Sequence, residues 1–484
     1  MKYHLVTLGC AKNISDSEGM CTLLSSAGHK ESLTSDGADL LIVNTCGFLQ
    51  AARQESVDVL SQLGIAKRDE QILVAAGCLS ERIGATLVEE VPWLDGIIGT
   101  QQWTRINHLV DSIVERRLND QWRAFVMPTD ERNHVADSIA RRADSHSAYL
   151  KISDGCSAPC TFCTIPSFKG KQRSKRPSAI LQEAQQLVDQ GVEEIVLVAQ
   201  DLTAYGHDWG EPIGTGLPNL LEMLCTEVEH EPSRLWYRLM YAYPGHANQQ
   251  LVDVMAKYKG LIVPYLDMPL QHGDRRVLKR MLRPHNMPRQ AQFFAQLRAA
   301  IPEVILRTTF IVGFPGETEA EFQGLLDFMD EMQFDKVGIF QFSPEPGTPA
   351  GTMDKQISAE LKQERWNRAM AHQQPIALDK QAQMVGKVVD VLVDGFDTQN
   401  GLTLCRSYRE APDIDGYILV PGEHAAGSRL KVRITSALPY DLEARVLKRY
   451  ANKIRQPISK DDIQATLTPI PYSPTINLSE IAIH

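Results

Sequence analysis

No stretch of this 484-residue chain approaches the roughly 18 consecutive apolar residues of a membrane-spanning helix, so no transmembrane segment is expected. The start, MKYHLVTLGC, lacks the charged segment and long apolar core of a secretory signal. Basic residues are in deficit: 50 Lys and Arg stand against 60 Asp and Glu, a formal charge of -10. That balance argues against a chain that coats nucleic acid non-specifically and suits a basic partner. Cysteine is sparse and odd in number, nine in all. A disulfide framework is therefore not indicated, and a reducing, cytoplasmic setting is expected. There is no low-complexity tract and no long internal repeat. What the chain does have is 43% hydrophobic residues, enough for real cores, in a length that suits roughly two to four domains.

Its organising stretch is Asp154–Lys175, DGCSAPCTFCTIPSFKGKQRSK, which sets Cys156, Cys160 and Cys163 in a C-x3-C-x2-C loop. Soft thiolates so close together select an iron–sulfur cluster or zinc over hard cations. No fourth Cys or His follows at zinc-ribbon spacing. Three thiolates leave one iron of a cubane open to a ligand from outside the protein. The loop resembles the cluster loop of the radical S-adenosylmethionine (SAM) enzymes, where the amino and carboxylate groups of SAM take that open iron.

Residues 1 to about 100 alternate short apolar runs with helical patterns, which predicts a small parallel α/β sheet. Strands are expected at His4–Leu8, Leu40–Val43 and Ile72–Ala76, and helices at Asp16–Ala27, Gln50–Leu63 and Ser80–Glu90. Each strand runs into a cysteine: Cys10, Cys46 and Cys78. Open α/β sheets build their sites at the carboxyl ends of strands, so these three thiols are expected to converge as a second three-thiolate site. Cys21, Cys225 and Cys405 read as structural. The polar stretch 104–147 reads as a domain connection with one edge strand at Ala124–Met127.

From Ser147 to about Gln383 the alternation resumes. Strands are expected at Tyr149–Ser153, Glu194–Ala199, Arg234–Tyr241, Ile262–Met268, Val304–Val312 and Lys336–Phe342. Six such units predict a partial (β/α)6 barrel with its site at the C-terminal strand ends. The first helix, Ser178–Gln190, is expected to take Ser178 as its N-cap. From about Gln383 to Arg449, short strands between turn residues predict a small all-β barrel, and Ala451–His484 reads as a tail. Around the cluster loop, Phe162 is a candidate to cover the cluster. Gln200 and Asp201 are candidates to hydrogen-bond SAM. Gly313 and Gly316 are candidates for a close backbone approach to a ligand. For each of these, ordinary packing or turn formation is the competing reading. The run Lys169, Lys171, Arg173, Lys175 and Arg176 reads equally as a receiver of an acidic group and as solvated surface.

TLGCAKNISDSEGM at Thr7–Met20, GCSAPCTFCTIPSFKGKQRS at Gly155–Ser174 and RSYREAPDIDGYILV at Arg406–Val420 together resemble the methylthiotransferase family of radical SAM enzymes. The resemblance covers residues 1 to about 449. It implies an N-terminal methylthiotransferase domain over 1–120, a radical SAM barrel over 145–383, a TRAM domain over 384–449 and a tail over 450–484. It further implies two [4Fe–4S] clusters, one on Cys156, Cys160 and Cys163 that cleaves SAM, and an auxiliary one on Cys10, Cys46 and Cys78 that carries the sulfur. One SAM supplies the methyl group and another the deoxyadenosyl radical. An external electron donor is implied, and a monomer is expected.

One branch of the family modifies the β-carbon of an aspartate in ribosomal protein S twelve of the small subunit. The other modifies an isopentenyladenosine-type base in tRNA. From Lys387 to Glu443 six basic residues stand against nine acidic ones, a balance of -3, where an RNA-binding barrel is expected to be basic. This favours the ribosomal-protein branch, with Asp413 and Asp415 expected to attract its Lys and Arg. A bare electron carrier is disfavoured, because it needs neither open irons nor a barrel of this size.

Overall fold

The computed structural model describes residues 1–119, 124–128, 141–143, 145–231 and 234–450. The expected tail, Ala451–His484, lies outside the described residues.

The N-terminal unit is one parallel sheet of β1 (Lys2–Thr7), β2 (Lys30–Glu31), β3 (Leu40–Thr45), β4 (Ile72–Gly77), β5 (Gly96–Gly99) and β6 (Phe125–Val126), in the order β2-β1-β3-β4-β5-β6. Every residue of β3 and β4 is buried, as both faces of a parallel sheet are covered by helices. Alternate residues serve opposite faces. Leu40, Ile42, Ile72 and Val74 join one core, and Leu41, Val43, Leu73 and Ala75 the other. The three expected strands are present, and β6 is the expected edge strand. The helix expected over Ser80–Glu90 is instead broken into Cys78–Ile83 and Leu87–Glu90 around Gly84–Thr86.

The second unit contains β7 (Ser147–Lys151), the short hairpin β8 (Ser153–Asp154) with β9 (Arg173–Ser174), and then β10 (Glu194–Val198), β11 (Trp236–Leu239), β12 (Ile262–Asp267), β13 (Ile305–Val312) and β14 (Lys336–Gln341). Six of these form an open parallel sheet in the order β14-β13-β12-β11-β10-β7, the partial barrel that the sequence predicts. Ile195, Leu197, Tyr237, Leu239 and Leu306 face the helical layer, while Val196, Val198, Trp236, Val263, Tyr265 and Ile305 face inward. The helix after the cluster loop runs Pro177–Asp189. Arg176, not Ser178, is its cap residue, because Pro177 occupies the first turn, where its fixed φ suits the helix and its missing N–H costs nothing.

The third unit is a closed barrel of β15 (Val388–Asp397), β16 (Leu402–Arg406), β17 (Ile418–Pro421), β18 (Arg429–Ala437) and β19 (Leu442–Arg449). The segment between β16 and β17 enters the larger barrel from the N-terminal ends of its strands. Arg238 donates to the carbonyls of Tyr408 (2.8 Å) and Ser407 (3.2 Å). The Tyr149 hydroxyl donates to Asp413 and the Tyr265 hydroxyl to Asp415, each at 2.7 Å. This corrects the expectation that Asp413 and Asp415 face a basic partner, since phenol hydroxyls inside the barrel take both carboxylates.

The N-terminal unit covers the opposite end, where the strands terminate. Asp16 pairs with Lys151 at the end of β7. Glu345, just past β14, accepts from Arg82 at 3.2 Å and from the Gln50 N–H at 3.0 Å.

Candidate active site between two thiol triads

The sheet register brings the first triad together. Asn44 lies beside Thr7 and Gly77 beside Thr45, so Cys46 and Cys78 leave neighbouring strands side by side, with Cys10 just past β1. The loop before Cys10 passes so close to Cys46 that a Cβ on Gly9 would meet the Cys46 Cβ at 2.8 Å; Gly9 itself holds φ +90°. Asn13 ties the strand ends by donating to the carbonyls of Leu8 (2.8 Å) and Thr45 (3.0 Å). Burial pushes the Cys46 thiol up to about 12, and the neighbouring Cys10 and Cys78 push the same way. Burial likewise raises Cys78 to about 11, although Lys169 opposes it. Burial also raises Cys10, but Lys12, the N–H groups of Asn13 and Lys12, and Lys169 outweigh it and lower the thiol. Thiols crowded this way cannot all ionise unaided, and a metal cluster that displaces their protons fits them.

The second triad hangs in a loop closed by β8 and β9. The Cys156 N–H donates to Gly170 at 3.1 Å, and the Thr161 N–H to Met281 at 3.1 Å. Arg283 reaches the Cys160 sulfur at 3.6 Å and stacks on the Tyr243 ring at 4.2 Å. Burial raises Cys156 to about 11 and Cys163 to about 12, with the neighbouring thiols adding to it. Among the described residues no three Cys, His, Asp or Glu side chains gather around one ion. A cubane asks each thiolate for a different iron, so neither triad needs to do so.

Between the triads lies a buried network that links the two units. Lys169, at the end of the short helix Ile165–Lys169, pairs with Asp154 at 3.2 Å and Asp16 at 3.6 Å. Its ammonium also acts on Cys78 and Cys10. Lys151 pairs with Asp16 and, at 3.5 Å, with Asp154. These cations hold Asp154 well below the usual carboxylate range despite its burial. The basic run therefore splits. Lys169 and Lys175 are buried on carboxylates, Lys175 on Glu183 at 2.5 Å, while Lys171 and Arg176 are exposed.

Residues 2–99 match the family described as "Uncharacterized protein family UPF0004", residues 150–329 the Radical SAM superfamily, and residues 385–447 the TRAM domain. The chain is 45% identical over 474 residues to the ribosomal protein uS12 methylthiotransferase RimO of Roseiflexus sp. (strain RS-1), covering 94% of this chain and 99% of the relative. To the same enzyme of Chloroflexus aurantiacus it is 46% identical over 457 residues, covering 91% and 99%. The chain belongs to the RimO family of radical SAM methylthiotransferases. In fold it is also similar to the radical SAM methyltransferase TsrM from Kitasatospora setae, with a TM-score of 0.53 at 14% identity, covering 72% of this chain and 74% of that one.

Within this RimO-family chain the expected SAM contacts have mixed surroundings. Phe162 packs against Val277, Leu278, Met281, Phe314, Phe342 and Ala350, fastening the cluster loop to the barrel. Gln200 donates to Asp154 at 3.0 Å, and its buried carbonyl oxygen has no partner. Asp201 differs from expectation, because the fold already occupies its carboxylate. It accepts from the Ala204 N–H at 3.1 Å, from Thr203 at 2.8 Å and from His246 at 2.9 Å. Gly313 and Gly316 form a turn held by Glu317, which accepts from the N–H groups of Gly313 and Phe314, and by a 2.8 Å bond from the Gly316 N–H to Lys355. The close approach at Gly313 is made by Lys362, whose Cγ would lie 2.4 Å from an added Cβ. The residues that the sequence reading missed are Lys12, Asn13, Asp16, Lys151 and Asp154. Four of them sit within two residues of a quoted motif or inside one, so the motifs carried the signal.

Proposed function

We propose that the chain adds a methylthio group to the β-carbon of an aspartate in ribosomal protein uS12 of the small subunit. Two thiol triads, one at the strand ends of the N-terminal unit and one in the loop of the barrel it covers, carry the chemistry of this reading, and the relatives' shared name carries the substrate. Joining sulfur to an unactivated carbon needs a hydrogen-abstracting centre and a sulfur-bearing centre within reach of the same atom. In this reading Cys156, Cys160 and Cys163 hold one [4Fe–4S] cluster, and Cys10, Cys46 and Cys78 hold the other. Bound there, the clusters would supply reductive cleavage of SAM on the barrel side and the transferred sulfur on the other.

The chain's own residues then have distinct duties. Gln200 offers its unpartnered carbonyl to SAM. Phe162 holds the cluster loop against the barrel. The Lys151–Asp16–Lys169–Asp154 network fixes the two units relative to each other, and the N-terminal unit shields the strand ends from water. Both triads come from one chain, so the site needs no second subunit, and we read the protein as a monomer working in the cytoplasm with an external electron donor. Among the described residues no helix is long and apolar enough to cross a membrane.

The test is anaerobic reconstitution, followed by mass spectrometry of both candidate substrates, purified uS12 and tRNA. Two clusters per chain and a methylthio adduct on the uS12 aspartate are expected. Changing Cys156, Cys160 and Cys163 together to Ala should leave one cluster's worth of iron. An adduct on tRNA with uS12 untouched would overturn the substrate.

A further inference from the structure

Among the buried cations where the two units meet, Lys12 stands apart. Lys151, Lys169 and Arg307 each have a carboxylate partner, Arg307 pairing with Asp267 at 2.9 Å. Lys12 is 8% exposed, yet among the described residues its ammonium meets no hydrogen-bond acceptor and no carboxylate. The Tyr241 ring lies under it, its centroid 3.5 Å away, and the Cys10 thiol and Asp267 favour its charge without a hydrogen bond to it. The ammonium is also absent from the sealed, unpartnered polar atoms, so the small exposed part of the side chain includes its charged tip. In a mostly dry site, ammonium N–H groups without an acceptor are donors that a bound group can satisfy.

The geometry around it is built rather than incidental. Tyr241 follows the end of β11 with φ +67°, a strained conformation for a non-glycine residue. Its N–H donates to Asp267 at 3.1 Å and its carbonyl accepts from Leu202 at 3.1 Å. That strain presents the ring as a floor under Lys12. Nearby Asp267 favours the Lys12 charge, but its oxygens hydrogen-bond Arg307 and the Tyr241 N–H and not the ammonium. Lys12 lies two residues past Cys10, on the wall of the auxiliary triad.

We infer that Lys12 is the substrate-binding residue that receives the side-chain carboxylate of the target aspartate, and so sets its β-carbon between the two triads. The inference rests on the function proposed above. SAM also carries a carboxylate, but SAM belongs to the opposite wall, where Arg283 lies beside Cys160.

The experiment compares uS12 as substrate with uS12 whose target aspartate is changed to asparagine as competitor. With the wild-type enzyme the asparagine form should bind roughly 10- to 100-fold more weakly, as the loss of a charge-assisted hydrogen bond in a desolvated site predicts. With Lys12→Gln that preference should shrink to within about twofold, and KM for uS12 should rise by a comparable factor. Lys12→Arg should keep most of the preference, while iron content and KM for SAM stay at wild-type values. An undiminished aspartate preference in Lys12→Gln overturns the inference. So does a rise in KM for SAM, which would make SAM the source of the carboxylate, or a loss of iron, which would make Lys12 structural. A wild-type enzyme that leaves uS12 unmodified sinks the proposed function instead, a different result from any of these.

Discussion

Removing Arg406 should detach the C-terminal barrel from the radical SAM barrel. Arg406 is 1% exposed and donates to Glu194 at 2.7 Å, to Asp394 at 2.6 Å and to Ser147 at 2.9 Å. Glu194 is fully buried and also takes Arg238 at 2.7 Å. Burial alone would raise its carboxyl, but Arg406 and then Arg238 reverse this and hold it at about 2, against an ordinary 4.5. By linkage such a carboxylate contributes on the order of 3 kcal/mol at neutral pH, within the roughly 3–5 kcal/mol measured when one partner of a buried pair is removed.

Arg406→Met should therefore lower the melting midpoint of the C-terminal transition by roughly 12–24 °C, read by calorimetry on the full chain. Because the folded carboxyl is depressed, its contribution is complete above about pH 4.5 and disappears as pH falls from there toward 2. In wild type the acid limb should span that window, and in Arg406→Met, where the folded carboxyl rises toward its unfolded value, it should flatten. Adding Glu194→Gln to Arg406→Met should recover part of the loss, since the stranded charge is gone. A midpoint shift below about 1 °C, or a double variant as poor as the sum of the singles, would refute the reasoning.

Gly313→Ala should cost about 1–3 kcal/mol, because a side chain at φ +73° is strained and its Cβ would press on Lys362; an unchanged urea midpoint would count against it. Asp415→Ala strands the Tyr265 hydroxyl and the Ala411 N–H, and should destabilise by roughly 2–3 kcal/mol. If it instead weakens uS12 capture with stability intact, the carboxylate faces the partner after all. Changing Cys10, Cys46 and Cys78 together to Ala should halve the iron and abolish methylthiolation while SAM cleavage to deoxyadenosine persists. Loss of cleavage with the remaining cluster spectroscopically intact would contradict that division.

The strand-then-cysteine pattern was readable because parallel strands announce themselves as continuous apolar runs, and a sheet fixes where their ends lie. β5 escaped notice: GIIG is short and bounded by glycines, which read as turn. The basic run after the cluster loop reads equally as a receiver of an acidic group and as solvated surface, yet Lys169 and Lys175 turn inward to carboxylates contributed by Asp16, Asp154 and Glu183. Such partners, distant in sequence, leave no local signature. The net charge of the last domain depends on where its C-terminal edge is drawn. Counting on to Arg449 adds Arg445, Lys448 and Arg449, and the signs balance at nine each. Several of its acids, Asp394, Asp413 and Asp415, are spent inside the molecule. The choice of branch therefore rests on the relatives rather than on net charge.

The segment from Ser407 that fills the larger barrel also imposes an order on synthesis. Arg406 follows Glu194 by 212 residues, so at translation speeds of about 5–20 residues per second the strands wait roughly 10–40 s for the group that neutralises them. Until then Glu194, Tyr149 and Tyr265 face a barrel open at its base, and water reaches the inner wall from below. A nascent chain arrested before Arg406 should be cut by protease within the barrel strands, and one arrested well after Arg449 should not. The last domain to emerge thus decides when the cavity for radical chemistry becomes dry.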